Sequence, residues 1–416
     1  MSKTLIVLNA GSSSIKFVVF DVTEGKPVNM ATGQVEGLGA SVSRFTAKDG
    51  EGQSLGEKDF DKASGAISTH TQAVDLILKW IDDTFPGTEV VAVGHRVVHG
   101  GVRFTKPVQI NDDVVAALEE LTPLAPLHQP HNVAGIRAAQ AAFPGVPQVA
   151  VFDTSFHRGH PFVNDTFAIP REYYNEGVRR YGFHGVSYEY VTRRLKQIAP
   201  LDAEGRVVIA HLGNGASMCA VRYGHSIAST MGFSALDGLP MGTRCGNLDA
   251  GVLLYLLDQK GLSSSEIREI LYSKSGLLGL SGISQDMREL EASDKREARE
   301  AIDYFVFRVR REVGALSAAL DGLDAMVFCG GIGENSWRVR ERVLQGMQWI
   351  GIDLDEEANH RNARLISSPL SRVRVYIVRT NEGLMIAEHT LTVLGLAAPE
   401  IQAFSADGTA AHRPSA

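Results

Sequence analysis

The first twenty residues carry the pattern that most restricts the fold of this chain. Leu5–Leu8 is an unbroken apolar run, and Asn9–Ser14 contains only small and turn-favouring residues. Ile15–Phe20 is apolar again apart from Lys16. An unbroken apolar run suits a strand that is buried on both faces, as in the middle of an α/β sheet. The pattern therefore predicts a strand, a tight polar turn and an antiparallel return strand.

The turn of this hairpin suggests an anion site. Gly11, Ser12 and Ser14 offer backbone N–H groups and hydroxyls that suit a phosphate, and Lys16 just past the turn supplies a cation. The segment is not a Walker loop, because it lacks the Gly-x-x-x-x-Gly-Lys pattern and a strand follows instead of a helix. On these residues alone, a plain Gly/Ser hairpin without a ligand is the alternative.

A second segment repeats this pattern about half a chain length later. Val207–Val221 again reads as an apolar strand, a polar glycine turn and a return strand. When the two segments are aligned, Gly11 falls on Gly213 and Asn9 falls on His211. This indicates a duplicated α/β unit. Two similar domains around a nucleotide cleft, each with the ribonuclease H-like fold, form the architecture of the actin-like ATPase superfamily, which includes sugar kinases and heat-shock ATPases.

Composition limits the classes of protein to consider. The length of 416 residues predicts two or three domains. A net charge of −7 without a Lys/Arg block argues against nucleic acid as a partner. The chain lacks an apolar run near the roughly 18 residues of a membrane span, and the N-terminal run is too short for a signal peptide. Cys219, Cys245 and Cys329 are far apart, which predicts a reduced, cytoplasmic protein without disulfides or zinc.

Periodicity and turn residues predict the remaining elements. The predicted helices are Thr71–Phe85, Asn111–Leu121, His131–Phe143, Asp249–Leu257 and Lys295–Leu320. The predicted strands after the first hairpin include Pro147–Phe152, Met326–Cys329 and Val373–Val378. Ser187 and Ser263 are predicted as helix N-caps, and Asn381 starts the last helix. Gly276–Arg288 is predicted as a Gly/Ser loop, and Thr230–Gly246 as an irregular glycine-rich segment.

Nine unusual segments, taken together and in this order, resemble the acetate kinase family. The resemblance extends from about Leu5 to Leu396. Each glycine motif is weak evidence by itself, but nine in register are specific. The segments are Asn9–Lys16, Gly94–Gly101, Leu127–Asn132, Val151–His157, Tyr181–Ser187, His211–Gly215, Met241–Arg244, Gly330–Asn335 and Thr380–Gly383.

The resemblance implies a reaction, a metal and an organisation. The reaction is ATP plus acetate giving ADP and acetyl phosphate, reversibly and by direct in-line transfer. It implies a magnesium ion, with manganese as an alternative, and a homodimer. The implied domains are residues 1–152 with 384–400, which carry the acyl side, and residues 153–383, which bind the nucleotide. Residues 401–416 are expected to form a disordered tail.

The resemblance also assigns roles to charged residues that the chemistry needs. Phosphoryl transfer depends on positioning and on neutralising charge. Arg96, just past a buried strand, would bind the acetate carboxylate; a surface ion pair is the alternative. His184 and Arg244 would stabilise the transferring phosphoryl group, although His184 alone would equally suit a structural loop. Asp153 is the implied catalytic carboxylate, and it would orient the γ-phosphate and hold magnesium through water rather than act as a general base, because acetate is already ionised at neutral pH.

The remaining implied site residues fall into three groups. Asn9 and Glu382 lie on the magnesium side. His128 lies at the acyl site, where Val98, Leu127 and Phe183 form apolar walls, and a zinc pair of His128 with His131 is rejected because no third ligand is close in sequence. The nucleotide residues are Lys16, Ser12, Ser14, His211, Leu212, Gly213, Asn214, Gly215, Asp286, Met287, Arg288, Gly331, Ile332, Gly333, Glu334 and Asn335.

Two alternatives and one departure bear on function. A chaperone or filament protein of the same fold is the distant alternative, but too few residues follow Glu382 for a client-binding domain. A kinase for propionate or another short acid is the closer one. The family pattern Phe-Thr-Pro-Leu reads Phe233-Ser-Ala-Leu236 here, so Ala235 replaces a proline that lies against the acyl methyl group. A wider acyl pocket, with propionate used nearly as well as acetate, is therefore expected.

Overall fold

Both predicted hairpins are present in the computed structural model, which describes residues 2–61, 63, 65–399 and 401. In the first hairpin Asn9 pairs with Lys16 across an antiparallel ladder. In the second His211 pairs with Ser217 in the same manner. The two apolar runs thus form strands, and the glycine segments between them form the turns.

The described residues form two sheets with helices around them. The strands are β1 (Ser2–Ala10), β2 (Ser14–Asp21), β3 (Val28–Glu36), β4 (Ser43–Asp49), β5 (Ser54–Phe60), β6 (Thr88–Val97), β7 (Val108–Gln109), β8 (Gln148–Phe152), β9 (Arg206–Leu212), β10 (Ala216–Arg222), β11 (His225–Ser229), β12 (Ala325–Cys329) and β13 (Arg374–Ile377). The helices are α1 (His70–Thr84), α2 (Asp112–Glu120), α3 (Gln129–Ala142), α4 (Phe162–Asp165), α5 (Arg171–Asn175), α6 (Gly185–Ile198), α7 (Pro200–Ala203), α8 (Ala250–Asp258), α9 (Ser264–Ser273), α10 (Gly276–Ser281), α11 (Met287–Glu291), α12 (Arg296–Ala319), α13 (Gly330–Asn335), α14 (Trp337–Leu344), α15 (Glu356–His360) and α16 (Glu382–Val393).

The two sheets share one strand order, which confirms the predicted duplication. The first sheet runs β5-β4-β3-β2-β1-β6-β8-β7, and the second runs β11-β10-β9-β12-β13. In each, the hairpin is followed by two parallel strands, β6 and β8 beside β1, and β12 and β13 beside β9. The inner order of the first sheet, β3-β2-β1-β6-β8, is therefore repeated by the whole of the second.

The chain divides into two units. Unit 1 runs to Ser155 and resumes at Asn381, and unit 2 is Phe156–Thr380. The sequence predicted divisions after residues 152 and 383, so Asp153 and Glu382 fall in unit 1 here. Ile401 is helical and buried, and residues 402–416 of the expected tail lie outside the described residues.

Each unit buries its sheet under helices. In unit 1, Ile6 and Leu8 of β1 pack in one core with Ile77 and Ile81 of α1. In unit 2, Val207 and Ile209 pack in one core with Val191 and Leu195, among others. The apolar stripe of α1 thus fulfils the periodicity from which the helix was predicted.

The last helix covers the other face of the first sheet. α16 packs on β6 so closely that a Cβ on Gly94 would lie 2.6 Å from Thr390 Oγ1 and 2.8 Å from Ile386 Cγ2. Glycine at position 94 is therefore required by the approach of α16. This packing places Glu382, the first residue of α16, near the carboxyl ends of the parallel strands.

Two local predictions were wrong. Ser187 does not cap α6, because the helix begins at Gly185 and His184 is the residue before it. Gly276–Arg288 is not a loop, because it contains α10 and the start of α11. The helix predicted from His131 is present, but it begins two residues earlier, at Gln129, with a proline in its first turn.

Two predicted starts of helices are confirmed. Ser263 forms a capping box with Glu266 at the start of α9. Asn381 accepts a hydrogen bond from the Leu384 N–H and caps α16. In the part of the chain that the structure describes, we find no helix with the length and apolarity needed to cross a membrane.

Candidate active site

A buried ion pair lies at the carboxyl ends of the parallel strands of unit 1. Arg96 Nε is 3.0 Å from Asp153 Oδ1, and Arg96 Nη2 is 2.7 Å from Asp153 Oδ2. Arg96 lies near the end of β6 and Asp153 directly follows β8, so parallel pairing brings together residues 57 apart in sequence. Glu382 Oε2 lies 3.6 Å from Arg96 Nε. One guanidinium thus faces two carboxylates.

The charges of this cluster leave an excess of one negative charge. Burial raises the pKa of Asp153, Arg96 lowers it and Glu382 raises it, with a net increase above the ordinary value. Burial lowers the pKa of Arg96, but both carboxylates raise it and the net pKa lies above the ordinary value. Arg96 therefore stays charged, and a further cation would lower the cost of holding both carboxylates ionised.

The cluster adjoins a cavity of about 410 Å³ on the face of the first sheet that carries α16. Asn9, Lys16, Arg96 and Glu382 line it together with residues of β3 and β4. Asn9 reaches this position because its neighbour in β1, Leu8, pairs with the residue before Arg96. The structure therefore brings four of the predicted site residues to one cavity.

The side-chain oxygens near this cavity suit a hard divalent cation such as magnesium. The carboxylates of Asp153 and Glu382 and the amide oxygen of Asn9 are the oxygen ligands that magnesium prefers, and magnesium keeps several waters. The described residues contain no group of three or more His, Cys, Asp or Glu side chains placed to hold a metal.

Two residues of the Leu127–Asn132 segment, to which the resemblance assigned no role, hold the loop after Arg96. Asn132 is buried; its Oδ1 accepts from the Val98 N–H at 2.9 Å, and its Nδ2 donates to the Ala10 carbonyl at 2.8 Å. Gln129 Nε2 donates to the His99 carbonyl at 3.2 Å. Gln129 and Asn132 therefore anchor the loop that follows Arg96, and Asn132 joins this loop to the end of β1.

The acyl-site residues expected from the resemblance are distributed over both units. Val98 is buried and Leu127 is 39% exposed, and His128 directly precedes α3; all three are in unit 1. Phe183 is buried in unit 2. Their common role as a pocket remains a prediction.

In unit 2, two histidines stack beside the second glycine turn. The rings of His184 and His211 have centroids 4.4 Å apart and an interplanar angle of 18°. His184 Nδ1 is 2.8 Å from Ser217 Oγ, and His211 Nδ1 is 2.8 Å from Ser187 Oγ. Ser187, which sequence analysis assigned to a helix cap, therefore orients a histidine of the site.

Arg244 and His184 converge on the turn of the second hairpin. A Cβ on Gly215 would lie 2.8 Å from Arg244 Nη2 and 3.1 Å from His184 Nε2. Arg244 Nη1 also donates to the Ala235 carbonyl at 2.6 Å, within the irregular segment predicted for residues 230–246. Two side chains predicted to stabilise a phosphoryl group thus approach the backbone of the turn predicted to hold phosphates.

The other predicted nucleotide residues form local structures of unit 2. Asp286 accepts from the Arg288 N–H at 2.9 Å at the start of α11. Glu334 Oε1 accepts from the Gly330 N–H and from the Thr380 N–H, each at 3.0 Å, so this carboxylate braces the start of α13. Met287 is buried, and Gly331 has open space where a Cβ would stand.

The first glycine turn is closed by its own backbone hydrogen bond and contacts a histidine of α1. The Gly11 N–H donates to the Ser14 carbonyl at 2.8 Å, and the Gly11 carbonyl is 2.8 Å from His70 Nε2. Ser12 is exposed at the tip, and Lys16 is exposed on β2. The turn therefore leaves hydroxyl and ammonium groups accessible, as the sequence predicted.

The chain is similar to known proteins over nearly its whole length. The model of the acetokinase family matches residues 4–388. A protein of Methylocella silvestris named acetate kinase is 59% identical over 399 residues, covering 95% of this chain and 98% of that protein. An acetate kinase of Rhizobium meliloti is 48% identical, covering 94% of this chain and 98% of the relative.

Two solved structures are similar to this chain in sequence and fold. The crystal structure of Porphyromonas gingivalis acetate kinase has a TM-score of 0.85 at 39% identity and covers 94% of this chain and 100% of that chain. A propionate kinase from Francisella tularensis has a TM-score of 0.86 at 36% identity and covers 94% and 99%. Both likenesses extend over nearly the whole chain.

Proposed function

Because this chain belongs to the acetokinase family, we propose that it is an acetate kinase, which transfers the γ-phosphoryl group of ATP to acetate, reversibly and in line. The observation that carries this proposal is the convergence of Arg244 and His184 on the turn at Gly215. Two cationic or hydrogen-bonding groups beside a phosphate-binding turn are what a transferring phosphoryl group requires.

Unit 2 supplies the nucleotide and transition-state groups. The N–H groups of His211–Gly215 hold phosphates, and residues 286–288 and 331–335 hold the ribose and adenine. Arg244 and His184 donate to the phosphoryl oxygens as charge develops on them. Lys16, with Ser12 and Ser14, supplies donors from the first turn.

Unit 1 supplies the acid and metal groups. Arg96 binds the carboxylate of the acid through the guanidinium edge that Asp153 occupies in this structure. Binding of the acid therefore requires Arg96 to divide its donors between two carboxylates. Val98, Leu127 and Phe183 contact the methyl group, and His128 contributes a polar contact.

A magnesium ion fits beside Asn9, Asp153 and Glu382. When bound, it neutralises the phosphate oxygens of the nucleotide. Asp153 orients the γ-phosphate and does not act as a general base, because acetate has already lost its proton at neutral pH. Glu382 is held beside Arg96 at the start of α16, where its charge is also favoured by the helix dipole.

The metal assignment predicts a parallel response of two variants. Asn9→Ala and Glu382→Ala are each expected to raise the magnesium concentration needed for half-maximal activity by about tenfold or more, in line with the loss of a metal-site contact. A magnesium titration of activity measures this. Gln34→Ala, which changes another side chain of the same cavity, is the control. An unchanged titration for either variant would remove that residue from the metal site.

The reaction itself is tested by ATP-dependent acyl hydroxamate formation with acids of two to five carbons. Acetate is expected to give product, and Arg244→Ala provides the background. Absence of product from every acid at saturating magnesium would reject the proposed function. Product from longer acids alone would transfer the proposal to another short-chain acid kinase.

The second candidate activity is phosphorylation of propionate, and the residue that favours it is Ala235. The smaller side chain widens the acyl pocket, and an apolar pocket separates acids that differ by one methylene by only about 1–3 kcal/mol. We expect kcat/KM for propionate to approach that for acetate, and Ala235→Pro to restore a preference for acetate. Proline retains the carbonyl that accepts from Arg244. A wild-type preference for acetate above roughly a hundredfold, unchanged in the variant, would show that Ala235 does not set the pocket.

We assign the homodimer contact to the apolar surface of α8. Every residue of this helix is at least partly exposed, and Leu254 and Tyr255 are 59% and 50% exposed. Phe307 of α12, 60% exposed, adds to the apolar surface of unit 2. Exposed apolar side chains in such number are typical of contacts between proteins.

The cytoplasm is the expected location, since it supplies ATP and keeps the three free thiols reduced.

This assignment predicts the effect of one charged substitution. Leu254→Glu is expected to shift the protein from dimer to monomer in sedimentation velocity, because a carboxylate would be buried in the contact. Leu370→Glu, at a leucine that is 93% exposed in a loop, is the control and is expected to leave the mass unchanged. A dimer that persists in Leu254→Glu at micromolar concentration would move the contact elsewhere.

A further inference from the structure

We propose that His157, Ser226 and His160 are positioning residues that fix His184 for phosphoryl transfer. They form a chain of hydrogen bonds behind the Phe183–His184 peptide and reach the proposed site through the backbone carbonyl of Phe183. The inference rests on the proposed function for its kinetic consequence. Its structural part, the control of His184 by this chain, is independent of the substrate.

The chain has three links. His157 Nε2 is 3.0 Å from the Phe183 carbonyl oxygen, and His157 Nδ1 is 2.8 Å from Ser226 Oγ. His160 Nε2 is 2.7 Å from the same Ser226 Oγ. His157 is fully buried and Ser226 is 4% exposed. Solvent therefore does not compete for the two bonds of His157, and His160 is partly buried.

The chemistry of the groups gives the chain one direction. A carbonyl oxygen only accepts, so His157 Nε2 carries the hydrogen. Burial lowers the pKa of His157 to about 4, which keeps the ring neutral and makes Nδ1 an acceptor. Ser226 therefore donates to His157, and its oxygen accepts from His160 Nε2–H. Burial likewise lowers the pKa of His160, to about 2, so this ring is also neutral.

The ring of His157 also packs against the polypeptide backbone next to the carbonyl that it hydrogen-bonds. Gly182 has a φ of +73°, and a Cβ there would lie 2.6 Å from both Cγ and Cδ2 of His157. The backbone of Gly182 thus rests against the imidazole. The same side chain fixes the Gly182 backbone by contact and the next carbonyl by a hydrogen bond.

His184 has a backbone conformation that needs such support. Its φ of 57° and ψ of 22° lie in the left-handed region, which is unfavourable for a residue with a Cβ. Conformations of this kind persist when surrounding contacts over-determine them. His157 fixes the carbonyl that precedes His184, and Ser217 Oγ lies 2.8 Å from His184 Nδ1 on the other side. These contacts aim His184 Nε2 at the Gly215 turn.

Ser226→Ala removes the middle link with little change of volume. His157 then loses its donor and His160 loses its acceptor, which frees the Phe183 carbonyl to shift. We expect kcat to fall about 10- to 100-fold, because a 1 Å misplacement of a catalytic group can cost 10²-fold. KM for ATP and for the acid is expected to change less than about threefold, since the variant removes no side chain proposed to contact either substrate and the link to Phe183 is through its backbone.

Two further variants test the mechanism within the chain. His160→Gln retains an N–H donor for Ser226 and is expected to keep most of the turnover, whereas His160→Leu is expected to resemble Ser226→Ala. Ser229→Ala is the matched control, because Ser229 lies on the same strand and its buried hydroxyl has no hydrogen-bond partner among the described residues. Equal turnover of the Gln and Leu variants would overturn the proposed direction of the chain.

A double-mutant cycle separates positioning from a general structural role. If Ser226 acts through His184, then Ser226→Ala in a His184→Ala background is expected to cause little further loss of kcat. If the network only supports the fold, the two losses multiply. Multiplied losses would overturn the proposal.

Nitrogen-15 NMR of the histidine rings tests the inference without any assay. Nε2–H tautomers are expected for His157 and His160, and Ser226→Ala is expected to shift the His184 ring signals whereas Ser229→Ala is not. Unchanged His184 signals would overturn the inference even if the enzyme is active. Shifted signals in a protein that forms no acyl hydroxamate would uphold the positioning role and reject only the proposed function.

Discussion

Arg244→Ala is expected to reduce kcat by roughly 10³-fold or more, because an arginine on a transferring phosphoryl group is worth about that factor. The KM values for ATP and acid are expected to change little, since Arg244 stabilises charge that develops only during transfer. The structure supports this separation, because Arg244 Nη2 lies against the Gly215 turn while Nη1 is held by the Ala235 carbonyl.

Arg96→Ala is the matched comparison, because Arg96 contacts the acid in the ground state as well. We expect KM for acetate to rise more than kcat falls. Some loss of kcat is also expected, since the variant leaves Asp153 and Glu382 without the guanidinium that neutralises them. Steady-state kinetics of both variants decide the assignment. Near wild-type turnover in Arg244→Ala would show that Arg244 does not act on the transferring group.

Gly215→Ala is expected to lower kcat by about 10²-fold while the protein remains folded. The added Cβ would lie 2.8 Å from Arg244 Nη2 and 3.1 Å from His184 Nε2, which is closer than van der Waals contact allows. Both atoms are at the ends of side chains, so they can move and the fold can tolerate the change. A displacement of about 1 Å at a catalytic group is enough for a loss of this size.

Gly314→Ala is the control for this substitution. Gly314 lies inside α12, and a Cβ there would be no nearer than 4.0 Å to its closest neighbour, Trp349. Activity should be retained, and the free energy of unfolding should rise by about 0.5–1 kcal/mol, because alanine favours a helix over glycine. Full activity in Gly215→Ala would mean that Arg244 and His184 need not approach this turn during the reaction.

The sequence predicted the framework of the fold well. Apolar runs on both sides of small residues gave the hairpins β1–β2 and β9–β10, and their alignment gave the duplication that the strand order confirms. These predictions succeed because a buried strand and a tight turn are both determined by a few neighbouring residues.

Local composition misled where distant contacts decide the structure. Residues 276–288 are rich in Gly and Ser, yet α10 forms because its first N–H groups find acceptors elsewhere. The Leu277 N–H donates to the Met241 carbonyl at 2.8 Å, and the Leu278 N–H donates to the Gly242 carbonyl at 2.9 Å. These partners lie more than thirty residues away, so no local pattern announces them.

The same limit applies to the site. The motif that ends at His157 is visible in the sequence, but its partner Ser226 is 69 residues away. Arg96 and Asp153 were both identified by resemblance, whereas their ion pair follows only from the register of β6 with β8. Residue types and motifs were therefore predictable from sequence, whereas the hydrogen-bond partners that orient the side chains are set by the register of distant strands and loops.

The return of the chain to unit 1 through α16 has a consequence for synthesis on the ribosome. Unit 2 is one continuous segment, Phe156–Thr380, so all of it is synthesised before α16 is translated. Until then β6 lacks the helix that covers it at Gly94, and its apolar face is open to chaperones and to aggregation. Unit 2 can therefore be synthesised completely before unit 1 is complete. A premature stop codon before α16 is expected to leave the apolar face of β6 in unit 1 exposed.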